Sequence, residues 1–267
     1  MYTVRVEDQV LRDMHRAAVE AGRRNVFVPS VDLDAVARRA GGRKAAQNAI
    51  QRLLGAGMVV RVRKDLLVLP DTTGLLGVDL PEIVDVVAPQ PYLITGGQAL
   101  EHHGLTDQHF FRAVVLVPER IRELSYRGQT ATFLLTDPTS IWGWEDNARP
   151  QYAVPERAIV DVLNHPRYAV SLTQALDALL RAESQDAAFL GRLLDTVIRY
   201  DSRAAARRVG LVVERFFGPT AAAPYRSLIG DNRAPVLMRP RGAPDGPLDT
   251  TWRVVVNAIL EPERAPG

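Results

Sequence analysis

The sequence contains no cysteine among its 267 residues. Disulfide frameworks, thiolate zinc sites and cysteine nucleophiles are therefore excluded, and the absence is compatible with a reducing cytoplasm. No apolar run approaches the roughly 18 to 20 residues of a membrane span. Residues 1–15 have early acidic residues and lack the apolar core of a signal peptide. We therefore expect a cytoplasmic protein that does not bind a membrane.

The motifs of several common enzyme classes are also missing. The sequence has no H-E-x-x-H, Walker A, G-x-G-x-x-G or G-x-S-x-G pattern. His102 and His103 are adjacent, so on a helix their side chains point about 100° apart and do not form a metal-binding pair. The Gly-Ser followed by Asp-x-Asp that places metal-binding carboxylates in nucleotidyltransferases is absent as well. We predict that the protein is not an enzyme and needs no cofactor or metal.

Charge of each sign is concentrated in blocks, although the net charge is only +2. Residues 1–69 hold 13 Lys+Arg against 7 Asp+Glu, residues 70–201 hold 10 against 18, and residues 202–241 hold 8 against 2. Two basic blocks predict surfaces for anionic partners, and the acidic block between them suits a basic partner. The alternative is that each block is a solvated surface.

The basic N-terminal block has the pattern of a helix-turn-helix. Apolar residues at helical spacing predict a first helix from Val6 to near Gly22. After an extended stretch, Pro29 and the predicted N-cap Ser30 begin a short second helix. A diglycine, Gly41-Gly42, provides the turn, and a third helix is expected from Arg43 to Leu54. Two short helices joined by a glycine turn are typical of DNA-binding helix-turn-helix domains.

Two β-rich runs follow the third helix and complete the motif. Residues 58–62 and 66–69 are separated by Arg63-Lys64-Asp65, which predicts a hairpin with a basic tip. A hairpin in this position corresponds to the wing of a winged helix-turn-helix. We therefore predict a winged helix-turn-helix domain over residues 1–70.

The third helix and the wing present side chains suited to DNA. Arginine pairs with guanine and asparagine or glutamine with adenine in the major groove, whereas wing cations can neutralise phosphates. The predicted DNA-binding residues are Ser30, Arg43, Lys44, Gln47, Asn48, Gln51, Arg52, Arg61, Arg63 and Lys64. The alternatives are a solvated helix face beside an exposed turn, or a module that contacts another protein.

The rest of the chain is predicted to be a mixed α/β domain over residues 81–267, after a linker at residues 71–80. Strand-like runs come first and helices follow in series, so the whole chain is expected to be α+β. Pro155 is placed to begin a helix, and Ser171 and Ser202 are placed to cap later ones. Glu156 and Arg157 are expected either to form a buried ion pair or to contact a partner.

The last long helix contains a second group of cations. Arg203, Arg207, Arg208 and Arg215 are spaced by one or two turns, which predicts a basic face. Such a face would extend the contact with DNA, or would contact a protein partner or the nucleic-acid substrate of that partner. The alternative is again a solvated surface.

Several motifs in this second domain resemble those of one protein family. Residues 92–108, YLITGGQALEHHGLTDQ, resemble the S-x-x-S-A-L-x-x-H-G-L-T-x-Q signature of the AbiEi family, the antitoxins of type IV toxin–antitoxin systems. Residues 154–161, VPERAIVD, are similar to that family's A-S-P-E-R-A-L-L-D motif, and residues 202–214 are similar to its late helix. The diglycine Gly96-Gly97 departs from the family pattern.

The resemblance implies a two-domain regulator. Its N-terminal winged helix would bind inverted repeats in the promoter of its own operon, as double-stranded DNA, and repress transcription. Its C-terminal domain would neutralise a cognate nucleotidyltransferase-like toxin, and the resemblance does not imply a stable complex between the two proteins. The alternative is a winged-helix regulator without a toxin partner, whose C-terminal domain senses a ligand or contacts another protein.

Overall fold

The computed structural model describes residues 6–71, 77–165, 168, 170–231 and 234–262. The chain is a mixed α+β protein, as predicted, and it forms two compact units. The first unit comprises Met1–Ala88 and Glu123–Thr130, and the second comprises Pro89–Arg122 and Ala131–Gly267.

The first unit has the winged helix-turn-helix arrangement. Its elements follow in the order α1 (Val6–Glu20), β1 (Val26–Phe27), α2 (Pro29–Ala37), α3 (Arg43–Gly55), β2 (Val60–Arg63) and β3 (Leu66–Val68). The three strands form an antiparallel sheet in the order β1-β3-β2. The predicted bounds of α3 and of the hairpin therefore agree with the structure to within one or two residues.

The apolar face of each N-terminal helix builds one shared core. Met14 of α1, Val36 of α2 and Leu53 of α3 are almost completely buried together with Phe27 and Leu67 of the sheet. The positive φ angles of Gly41 and Gly42, +79° and +113°, explain the diglycine, because residues with a Cβ rarely adopt this conformation. Burial of one face of α3 leaves its opposite face in solvent.

The first unit extends further along the chain than the predicted domain. Helix α4 (Leu80–Val87), predicted to open the second domain, belongs to the first unit. Its Leu80 and Ile83 are buried, and Glu82 accepts a hydrogen bond from Arg24 at 2.8 Å. Of the predicted linker, residues 72–76 lie outside the described residues.

The second unit begins with strands and ends with helices and a small C-terminal sheet. A four-stranded sheet has the order β4-β5-β7-β6, and a three-stranded sheet has the order β8-β10-β9. The elements that follow α4 along the chain are β4 (Leu93–Thr95), α5 (Gly97–His102), β5 (Arg112–Val117), β6 (Leu124–Tyr126), β7 (Gln129–Leu135), α6 (Pro155–Asn164), α7 (Leu172–Gln185), α8 (Phe189–Tyr200), α9 (Arg203–Ala222), β8 (Val236–Leu237), β9 (Leu248–Asp249) and β10 (Val254–Val255). The tip formed by β6 and the start of β7 belongs to the first unit.

Local sequence signals place several ends of these helices. Pro155 is the first residue of α6, and the side chains of Ser171 and Ser202 cap α7 and α9, as predicted. Helix α9 is broken at Gly218, where φ is +88°. The glycine at position 97 is explained by packing, because a Cβ there would lie 2.3 Å from the Phe110 ring.

The expected ion pair between Glu156 and Arg157 is wrong, although both residues are buried. Neighbouring residues on a helix point about 100° apart, so these two side chains cannot meet. Arg157 Nε instead donates to Asp161 Oδ2 at 3.1 Å, one turn along α6. Glu156 Oε1 accepts from Arg192 Nε of α8 at 2.5 Å. The Glu156–Arg192 pair therefore joins α6 to α8, whereas the Arg157–Asp161 pair lies within α6.

Trp252 closes the second unit against the longest helix. Its side chain is fully buried, and its indole N–H donates to Glu214 of α9. The ring lies so close to Gly210 that a Cβ there would be 2.1 Å from it. Among the described helices, none is long and apolar enough to cross a membrane.

Candidate nucleic-acid interface

The solvent face of α3 consists of polar and cationic side chains. Ala46, Ala49, Ile50 and Leu53 are buried on one side of the helix. At about 100° per residue, Lys44, Asn48 and Gln51 lie opposite this buried side, and Gln47 lies next to them. All four are exposed, and α3 contains no acidic residue. Ammonium and amide groups that can pair with base edges therefore occupy the centre of the exposed face.

The two arginines of α3 lie at the flanks of that face. Arg43 is exposed and pairs with Asp34 of α2, with Nη1 and Oδ1 3.1 Å apart. Arg52 pairs with Glu7 of α1, with Nε and Oε1 2.6 Å apart. Arg52 is thus directed towards α1, so the structure favours the central residues over Arg52 for contact with bases.

The wing places its three cations on the solvent side of the hairpin. Arg61 and Arg63 are exposed and alternate with the half-buried Val60 and Val62, as the two-residue period of a strand requires. Lys64 is exposed at the turn. These cations belong to the same unit as the exposed face of α3, so one partner of high negative charge could engage both.

Ser30 does not cap α2, which corrects that prediction. The helix begins at Pro29, with Val28 at the N-cap position, and Ser30 lies inside the first turn. The Ser30 N–H donates to Asp65 Oδ1 at 2.8 Å, and its hydroxyl donates to Asp65 Oδ2. The wing carboxylate therefore accepts a hydrogen bond from an N–H at the helix start, and local sequence patterns do not indicate this pairing because it spans 35 residues.

Removing the Asp65 carboxylate is expected to loosen the wing. We expect Asp65→Ala to cost about 1 to 2 kcal/mol of local stability, the usual effect of losing a helix cap. Ser30→Ala should cost less because the backbone N–H still has its acceptor. Hydrogen exchange of the Ser30 amide would measure both effects. Equal acceleration in the two variants would contradict the assigned role of Asp65.

The predicted second basic face on α9 is wrong as a continuous surface. Arg203 and Arg215 are exposed, but Arg207 and Arg208 are 2% and 8% exposed. Arg207 donates to the carbonyl oxygens of Ala234 and Ile229, at 2.7 and 3.3 Å. Arg208 donates to the Leu237 carbonyl at 2.8 Å and to Asn164 Oδ1 at 2.6 Å. These two guanidiniums hold the C-terminal segment against α9, so they are not available to DNA.

The two buried arginines show why spacing alone overestimates a charged face. Burial lowers the pKa of Arg208 to about 10 and also lowers the pKa of Arg207. The carbonyl oxygens that bind them belong to Ile229, Ala234 and Leu237, which lie 22 to 29 residues further along the chain. One feature of the sequence does indicate that these arginines are buried. Apolar residues precede and follow the pair, and Ala206 and Val209 are buried as well.

Comparison with known proteins relates this chain to one solved structure by fold. No family model and no curated protein matches the sequence. The structure is similar to the crystal structure of the RV2827C protein from Mycobacterium tuberculosis, with a TM-score of 0.60 and 14% sequence identity. The similarity covers 93% of this chain and 90% of that chain. At 14% identity, this similarity supports the fold of the chain and says nothing about its function.

Proposed function

We propose that this protein is a DNA-binding antitoxin of the cytoplasm. In this proposal it represses the promoter of its own operon and neutralises a cognate nucleotidyltransferase-like toxin. Its DNA-binding half would place α3 in the major groove of double-stranded DNA at inverted repeats, with the wing against the phosphates.

One observation supports DNA binding above the others. The exposed face of α3 is free of acidic residues and has Lys44, Gln47, Asn48 and Gln51 at or beside its centre. A surface for another protein would be expected to expose apolar or aromatic side chains at its centre. Here the centre is polar and the wing adds Arg61, Arg63 and Lys64, so duplex DNA fits the surface better than a protein does.

The salt dependence of binding tests this half of the proposal. If the three wing cations each neutralise one phosphate, the affinity of each chain should fall about 40-fold between 50 and 200 mM salt. A gel-shift assay on the DNA upstream of the chain's own gene measures this. The triple variant R61A/R63A/K64A should lose most of the salt dependence. An affinity that stays constant with salt would point to contacts other than phosphate neutralisation.

The antitoxin half is supported by the ordered motifs that resemble the AbiEi family. The test is to look for a nucleotidyltransferase-like protein among the products of the neighbouring genes and to co-express it with this chain, with bacterial growth as the readout. We expect the chain to restore growth, and the DNA-binding variant R43A/K44A/Q47A to restore it equally. Loss of rescue in that variant, if it is folded, would show that the two activities share one surface.

A second candidate is a winged-helix regulator with a ligand-sensing C-terminal unit and no toxin. The observation that favours it is a cavity of about 570 Å³ in the second unit. The absence of rescue together with promoter binding that responds to a small molecule would support this candidate.

A further inference from the structure

The cavity of the second unit lies between the sheet, α6, α8 and the C-terminal segment. Its volume of about 570 Å³ is within the range of small-molecule sites. One wall is apolar, with Leu116, Leu134 and Pro240, and the rings of Trp142, Tyr168 and Tyr200 also line it. The cavity is thus large enough for a ligand with a flat or apolar body.

The charged lining of this cavity is of one sign. Arg157 and Arg241 line it together with His165, whereas no aspartate or glutamate does so among the described residues. Two hydroxyl groups, those of Thr136 and Ser140, also belong to the lining. A cationic ligand would meet only like charge here, and an anionic ligand would meet two guanidiniums.

Arg157 is buried and held in a fixed orientation. Its guanidinium carbon is 4.3 Å from the centre of the Trp142 ring and 4.8 Å from that of Tyr200. Nε donates to Asp161, and Nη2 donates to the Ser140 carbonyl at 3.3 Å. Its Nη1 has no hydrogen-bond partner among the described residues. Arg157 is only 4% exposed and belongs to the cavity lining, so a ligand in the cavity could supply the acceptor for this donor.

The carboxylate that balances Arg157 is itself saturated. Asp161 is fully buried and accepts hydrogen bonds from Thr95 at 2.7 Å and from Tyr200 at 3.0 Å, besides that from Arg157. The Tyr200 hydroxyl in turn is 3.0 Å from His165 Nε2. Asp161 therefore positions Thr95, Arg157 and Tyr200, and its charge is matched by that of Arg157.

One further arginine, Arg208, adds to the positive charge near the lining. Arg208 binds Asn164, which lines the cavity, and Arg241 lines it directly. Among the described residues, neither arginine forms an ion pair with a carboxylate. Arg241 also has a φ of +66°, a conformation that is uncommon for residues other than glycine and clusters at functional sites.

We propose that this cavity binds a nucleoside phosphate, with the phosphate at Arg157 Nη1 and Arg241 and the base against Tyr168 and the leucines. A free phosphate would leave most of a 570 Å³ cavity unfilled. A lining that combines two guanidiniums with rings and aliphatic side chains fits a ligand that has an anionic group and a flat body. This inference concerns the second unit and does not depend on DNA binding.

Isothermal titration calorimetry of the full chain with AMP, GMP, CMP and UMP tests the proposal. We expect at least one of them to bind, and its parent nucleoside and inorganic phosphate to bind at least tenfold more weakly. Equal affinity for the nucleoside would overturn the phosphate assignment. Equal affinity for inorganic phosphate would overturn the assignment of the base, and no binding of any nucleotide would overturn the site.

Two exposed lining residues locate the binding without disturbing the core. Arg241→Gln and Leu135→Glu should each weaken nucleotide binding by about tenfold or more, since the first removes a cation and the second introduces a carboxylate. The matched controls are Arg239→Gln and Leu248→Glu, whose side chains are exposed and lie outside the lining. Circular dichroism confirms folding of all four. Equal binding by the cavity variants and their controls would overturn the location.

Discussion

Replacing Arg43, Lys44 and Gln47 with alanine is expected to abolish promoter binding while the protein stays folded. Each side chain is exposed on α3, so their removal leaves the core of the first unit intact. A side-chain contact with a base contributes about 1 to 3 kcal/mol, so losing three polar contacts should reduce affinity by roughly a hundredfold or more. A gel-shift assay with the upstream DNA measures this loss, and circular dichroism checks the fold.

The matched control separates a specific interface from overall charge. Arg120→Ala with Arg122→Ala also removes two positive charges from exposed positions, but in a loop of the second unit. We expect that double variant to bind the promoter nearly as well as the unchanged chain. Normal binding by the α3 triple variant would contradict the assignment of the recognition helix.

The flanking arginine offers a finer test of the same helix. Arg52 pairs with Glu7 and is directed towards α1. We therefore expect Arg52→Ala to weaken promoter binding less than Gln51→Ala, although it removes a charge. Measured affinities in the opposite order would mean that α3 is rotated on DNA from the orientation inferred here.

Replacing Trp252 with alanine is expected to have the largest effect on stability. Removing a fully buried aromatic side chain usually costs about 3 to 5 kcal/mol, since the contacts are lost and a cavity remains. The change also leaves Glu214 without the indole donor. Urea denaturation of the full chain would measure the loss in the free energy of unfolding. As a control, Ile259→Ala changes a side chain that is 71% exposed and should alter stability by no more than about 0.5 kcal/mol.

A double-mutant cycle tests the contact between Trp252 and Gly210. Alone, Gly210→Ala should destabilise the protein by about 1 to 3 kcal/mol because its Cβ would overlap the indole ring. In the Trp252→Ala background the ring is absent, so the same change should cost little or nothing. Additive losses would mean that Gly210 is required for a reason other than the ring.

Signals between near neighbours in the chain gave the most accurate predictions. The apolar spacing of residues 43–54 predicted α3 and its exposed face, because a helix brings residues three and four apart together. Proline and serine at helix starts predicted where α6, α7 and α9 begin. Predictions about which charged residues would meet were less accurate, since Glu156 pairs with Arg192 of another helix and Arg157 pairs with Asp161 of its own helix.

The sequence alone predicted the winged helix-turn-helix, the α+β class and the cations at the wing, because periodicity, turn residues and charge are local properties. Only the tertiary structure determined that Arg207 and Arg208 are buried, that Asp65 binds the start of α2, and that Arg157 and Arg241 line one cavity. Those outcomes depend on carbonyl oxygens, carboxylates and rings from segments far apart in the chain. A guanidinium is exposed or buried according to whether such distant groups can replace its water.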